Sequence, residues 1–140
     1  MRLAIDEAIR AFEADEVPIG CVIVSPRGRV IGRGYNLTEA LADVSAHAEM
    51  QAVTAAARTL GGKYLTGCTL YVTVEPCLMC AGTIGWAQVG RVVYGAADPK
   101  RGYRSFTAER SPFHPRTEVT AGILAEECGA LVKEFFKHKR

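Results

Sequence analysis

Leu70-Tyr71-Val72-Thr73-Val74-Glu75-Pro76-Cys77-Leu78-Met79-Cys80-Ala81-Gly82 is the stretch whose reading decides the fold. Its first half is rich in β-formers, so residues 69–74 are expected as a strand. Its second half opens a helix, and Pro76 suits the first helical position, where its missing N–H would be unpaired anyway. Cys77 and Cys80 are three apart, so a helix presents both sulfurs on one face, about one turn apart. The positive end of the helix dipole beneath them favours thiolate, the form that binds metal. A strand running straight into such a helix places the sulfurs at the carboxyl edge of a sheet. Open α/β sheets commonly do their chemistry there.

The flanking chain supplies the rest of that sheet. Residues 3–14 have Ile5, Ile9 and Phe12 at helical spacing, and Val17-Pro18 breaks the pattern. The apolar run 19–24 fits a strand buried on both faces. Pro26-Arg27-Gly28 forms a turn, and 30–35 returns as a second strand, giving a hairpin. A loop over 36–45 leads into an alanine-rich helix over 46–60, stopped by Gly61-Gly62. Beyond the cysteines, the helix is expected to end near Gln88, and 91–96 reads as a fourth strand. Segment 98–116 shows no period; loops that long in compact domains are often functional. A short strand over 118–121 precedes a closing helix with Leu124, Cys128, Leu131 and Phe135 on one face. Helices alternating with strands after a hairpin imply an α/β fold, a mixed sheet covered on both faces.

At 140 residues, with 49% hydrophobic and 23% charged, the chain is long enough for one domain over 1–140 with a proper core. No apolar run approaches membrane-spanning length, so no membrane partner is expected. Asp6 and Glu7 stand where a secretory signal would be apolar, and the expected location is cytoplasmic. Cys21, Cys68 and Cys128 fit small buried hydrophobes in a reducing compartment. The net charge of +2 is too small to argue for nucleic acid by itself. Lys100, Arg101, Arg104, Arg110 and Arg116 fall in one stretch, and Lys137-His138-Lys139-Arg140 ends the chain. Such clusters neutralise phosphates in some proteins and are plain solvated surface in others.

The cysteines gain meaning from His47-Ala48-Glu49. One histidine and two cysteines give three ligands, the catalytic form of a zinc site; a structural site closes with four. Glu49, two residues from the histidine, is the natural proton carrier for a water in the open position. A redox C-x-x-C pair, or half of a closed site completed by Cys68, are the alternatives. The redox pair leaves His47 and Glu49 without a role, and the closed site needs another ligand.

Further segments extend the pattern: Glu16-Val17-Pro18-Ile19-Gly20, Asn36 eleven residues before the histidine, Ala46-His47-Ala48-Glu49, Gly95-Ala96-Ala97-Asp98, and Gly122-Ile123-Leu124-Ala125-Glu126-Glu127-Cys128. With these, nearly the whole chain resembles the cytidine deaminase-like superfamily and, within it, the bacterial tRNA-specific adenosine deaminases. The resemblance implies a three-layer α/β/α sandwich on a mixed five-stranded sheet, a homodimer, and one zinc ion per subunit. It implies conversion of the wobble adenosine of a tRNA anticodon stem-loop to inosine. On that basis His47, Cys77 and Cys80 hold zinc and Glu49 shuttles protons. Asn36 bonds the base, Val17 lines its pocket, and the backbones of Ala48 and Val74 contact it. Asp98, Lys100, Arg101 and His114 are the expected RNA contacts. Plainer readings stand beside these: Asn36 closing a turn, Val17 in the core, Asp98-Pro99 as a turn signal and His114 shaping its loop.

Two other functions compete. A deaminase of free bases or nucleosides, of the guanine or cytosine deaminase type, shares the zinc motif but has no use for a phosphate-binding surface. A catalytically silent zinc protein serving as an RNA-binding subunit has no use for Glu49.

Overall fold

The computed structural model describes residues 1–139; Arg140, at the end of the basic tail, lies outside them. In chain order the elements are α1 (Arg2–Glu13), β1 (Gly20–Val24), β2 (Val30–Tyr35), α2 (Ala48–Leu60) and β3 (Thr69–Val74). They continue with α3 (Leu78–Trp86), β4 (Arg91–Ala96), α4 (Arg104–Thr107), β5 (Glu118–Thr120) and α5 (Ala125–His138). The strands form one sheet in the order β2-β1-β3-β4-β5. β1 pairs antiparallel with both β2 and β3, whereas β3, β4 and β5 run parallel. The expected mixed five-stranded α/β sheet is therefore what forms.

Side chains alternate across it, as a pleated strand requires. Cys21, Ile23, Leu70, Val72, Val92 and Tyr94 face α2 and α3, where they meet Ala52, Ala56, Ala81 and Ile84 in the main core. Helices α1 and α5 cover the opposite face, α1 over β1 and β2, α5 over β4 and β3. Each fully buried aliphatic side chain here contributes roughly 1.5–3 kcal/mol. The three free cysteines outside the metal motif, Cys21, Cys68 and Cys128, are all buried, as expected.

Close approach of helix to sheet decides details that periodicity misses. A β-carbon on Gly20 would strike the backbone of Ala4 and Ala8, so α1 lies almost directly on β1. The buried stripe of α1 is accordingly Ala4, Ala8 and Ala11 with Ile5, while Ile9 is 39% exposed. The expected Ile5–Ile9–Phe12 face is thus rotated toward the alanines, because only small side chains fit that gap.

Other expectations need correcting at element ends. Leu124 is not on the core face of the closing helix; it is the N-cap of α5 in a left-handed conformation, φ 54°. Cys128 and Phe135 are buried as expected, and Leu131 is half-buried. The segment 98–116 contains the one-turn helix α4, too short to show a period. Gly61 caps α2 with φ 72°, as the Gly-Gly pair implied.

Candidate metal centre and active site

Two helix starts build the site. His47 is the N-cap of α2 (φ −74°, ψ 158°), and Cys77 is the N-cap of α3 (φ −70°, ψ 171°). Both have extended backbone, which lets an N-cap side chain project past the helix end instead of lying along it. The histidine helix therefore begins two residues later than the expected 46. Pro76 is not the first helical residue either. Its carbonyl accepts a hydrogen bond from the Tyr103 N–H at 2.8 Å, and Cys77 pairs with Gly102 in an isolated antiparallel bridge. Those contacts hold 76 and 77 extended, so α3 starts at Leu78.

Cys80, in the first turn of α3, then brings its sulfur beside that of Cys77. His47 Nδ1 lies 3.5 Å from Cys77 Sγ and 3.4 Å from Cys80 Sγ. The nitrogen and two sulfurs all lie within 4.8 Å of one another, and among the described residues no fourth His, Cys, Asp or Glu joins them. Cys68, which a closed structural site required, is outside the cluster. Glu49, in the first turn of α2, is 4% exposed.

The electrostatics fit a cation. The Cys80 thiol beside it, together with His47, holds Cys77 down to about 4 despite partial burial. The same hydrogen bond, which needs the Cys80 proton, and burial push Cys80 strongly upward. The Cys77 contact raises His47. Soft sulfur donors with an imidazole, in a pocket that penalises the second thiolate, suit zinc, whose charge relieves that penalty. Burial pushes the Glu49 carboxyl up to about 7.

Two adjoining cavities open on this cluster and share Ile19, His47 and Glu49. The larger, about 570 Å³, is also walled by Val74, Glu75, Asp98, Arg101 and Phe106. The smaller, about 220 Å³, is walled by Val17, Asn36, Thr38 and Ala48. Asn36 is 6% exposed, and its backbone N–H donates to Ile19 O at 3.2 Å. Beyond the larger cavity runs a groove of about 1000 Å³ bordered by Lys100, Arg101, Lys133 and Lys137. His114 lines neither cavity nor groove; its Nδ1 accepts the Arg116 N–H at 3.1 Å, which shapes its own loop.

Sequence reasoning missed two buried carboxylates that shape the walls. Glu16, 1% exposed, accepts the N–H groups of Glu39 and Ala40 at 3.0 and 2.8 Å and so anchors the loop after Asn36. Glu75, 5% exposed, does the same for the loop after β4. Both acids fall inside the resembling segments, but nothing in the sequence says which amides they meet.

A nitrogen–sulfur triad at the mouths of two helices, with a buried carboxylate beside it on an α/β/α sheet, defines a zinc-dependent deaminase. Residues 1–96 match the family model for the cytidine and deoxycytidylate deaminase zinc-binding region. The chain belongs to that family and, within it, to the tRNA-specific adenosine deaminases. It is 44% identical over 143 residues to the tRNA-specific adenosine deaminase of Bacillus subtilis (strain 168), spanning 100% of this chain and 88% of that one. A solved chain from work on A-to-I editing by tRNA:A34 deaminases at the wobble position of transfer RNA is 44% identical. It superposes with a TM-score of 0.86, over 94% of this chain and 96% of that one. Guanine deaminase from Bacillus subtilis is 38% identical, with a TM-score of 0.65 over 69% of this chain and 61% of that one.

Proposed function

We propose that residues 1–140 act as one deaminase domain that hydrolyses the 6-amino group of the wobble adenosine in a tRNA anticodon, giving inosine and ammonia. The observation that carries this is the shared floor of the two cavities, where the carboxylate of Glu49 and the ligand His47 meet. Zinc held by His47, Cys77 and Cys80 supplies the Lewis acidity that makes water a nucleophile at neutral pH.

The chain's own groups do the rest. Glu49 accepts the proton that water gives up and delivers it to N1 of the purine as oxygen adds to C6. It then takes the remaining proton from the oxygen now on C6 and passes it to the departing amine, so that the C6–N bond breaks and ammonia leaves. Asn36 offers its amide to the edge of the base in the smaller cavity, against Val17 and the backbone of Ala48. The backbone of Val74, with Asp98 and Arg101, borders the approach. Lys100 and Arg101, with Lys133 and Lys137, line a cationic track for the phosphates on either side of that base. An anticodon loop presents splayed bases, so little duplex need be opened.

The subunit is proposed to work as a homodimer in the cytoplasm, and no helix among the described residues is long and apolar enough to cross a membrane. Trp86, 86% exposed on α3, is an apolar surface suited to a second copy.

Similarity to a guanine deaminase supports a second reading, action on a free base. The groove counts against it, because a free base carries no phosphate. Zinc-loaded protein is incubated with an anticodon stem-loop bearing a wobble adenosine, and the digested nucleosides are read by mass spectrometry. Inosine is expected, and none with Glu49→Ala. Unaltered adenosine with the wild-type protein contradicts the proposal.

A further inference from the structure

We propose that Glu75 is a positioning residue that clamps the loop 98–104 through its backbone amides and thereby sets where the RNA strand meets the site. The inference rests on the RNA reading above. Glu75 follows β3, and its own N–H extends the β3–β4 ladder by donating to Ala96 O at 2.8 Å. Its side chain, only 2% exposed, leaves the ladder toward the following loop. There Oε1 accepts the Asp98 N–H at 3.3 Å and the Arg104 Nη2 at 3.3 Å, while Oε2 accepts the Arg104 N–H at 3.1 Å. A buried carboxylate is costly unless its oxygens are filled, and here one loop fills both.

The loop is built around that carboxylate. A β-carbon on Gly102 would fall on the Glu75 carboxylate, so the backbone approaches as only glycine allows. Gly102 N–H closes the turn onto Asp98 O at 2.9 Å, and Asp98 Oδ1 accepts the Lys100 and Arg101 N–H groups at 3.1 Å each. Asp98 and Arg101 border the larger cavity; Lys100 and Arg101 border the cationic groove. The residues that face substrate are thus carried on a turn whose two ends, 98 and 104, are tied to one side chain. Glu75 itself is at the cavity wall, but its oxygens are already occupied by the loop. It acts through Asp98, Lys100 and Arg101, and not on the base.

Glu75→Gln is the test, because an amide must turn its NH₂ toward a backbone N–H donor at one end of the loop. Losing one such buried bond is expected to speed exchange of the Asp98 and Arg104 amides about tenfold, read by hydrogen–deuterium exchange in substrate-free protein. The KM for the anticodon stem-loop is expected to rise about tenfold, with kcat within about twofold and zinc still at one per chain. Arg104→Ala keeps both backbone bonds and is expected to stay within about twofold of wild type in KM. Unchanged exchange, or faster exchange with unchanged KM, overturns the proposal. So does a fall confined to kcat, a loss of zinc, or an Arg104→Ala effect equal to that of Glu75→Gln. Conversion of the stem-loop by wild-type protein is measured first and judges the substrate assignment alone. The exchange comparison judges the clamp without any substrate.

Discussion

At the scale of single residues, the site depends on polar groups held where water is scarce. Glu49 is buried beside the ligand His47, and its position in the first turn of α2 fixes its distance from the metal centre. Replacing it with glutamine keeps its volume but removes the carboxylate proposed to carry the proton. Turnover of Glu49→Gln is expected to fall by roughly 10²–10⁴-fold, while zinc content measured by atomic emission stays at one per chain. Cys80 is proposed to play the opposite part, as a ligand that does not move protons. Cys80→Ala, which deletes a fully buried donor of the triad, is expected to lose zinc on dialysis and to melt at a lower temperature than the zinc-loaded parent. Retained stoichiometric zinc in that variant contradicts the assignment. The grouping of His47, Cys77 and Cys80, with Glu49 buried nearby, was legible in the sequence because a metal site demands a small set of residue types at short spacings. Glu16 and Glu75 were not. An acidic residue reads as surface until the fold shows which backbone amides surround it.

Among the elements, the site is positioned by how closely helices lie on the sheet. A β-carbon on Gly34 of β2 would collide with the backbone of Ala48 and Ala52, in the turn of α2 that carries Glu49. Gly34→Ala is therefore expected to cost about 1–3 kcal/mol of stability in urea unfolding, since the helix must lift from the strand. Its kcat is expected to fall with it, because Glu49 lifts too; an unchanged unfolding midpoint would mean that α2 has room to spare. Strands β3 and β4 were readable to the residue from their β-formers, and the end of α2, though not its start, from its Gly61 cap. The core face of α1 was not, because Gly20 selects alanines over the larger Ile9, a choice made across the contact and not within the helix. Pro76 misled for a related reason: pairing with residues 102 and 103, distant in sequence, holds it outside α3. The one-turn α4 is shorter than any helical period and leaves no pattern to find.

For the molecule as a whole, charge distribution matters more than net charge. A formal +2 predicts little, yet Lys100 and Arg101 on one loop and Lys133 and Lys137 on α5 converge on a single groove. If those cations contact phosphates, log KM for a stem-loop is expected to rise with log salt at a slope of about 3, near 0.7 per contact for single strands. Lys133→Ala with Lys137→Ala is expected to reduce that slope by about half while leaving zinc content and melting temperature unchanged. A flat salt response would remove the groove from the RNA path. In the sequence Lys100 and Arg101 stand in one basic cluster, Lys137 in another and Lys133 in neither; only the packing of α5 on β4 and β3 joins them.

The most direct test of the central claim, that this zinc site edits adenosine within RNA, is a competition in one vessel. Zinc-loaded protein receives equal concentrations of an anticodon stem-loop with a wobble adenosine and of free guanine, and both products are followed by mass spectrometry. Inosine in the stem-loop with guanine left intact is the expected result. Xanthine accumulating while the stem-loop adenosine persists would contradict it and make the chain a free-base deaminase.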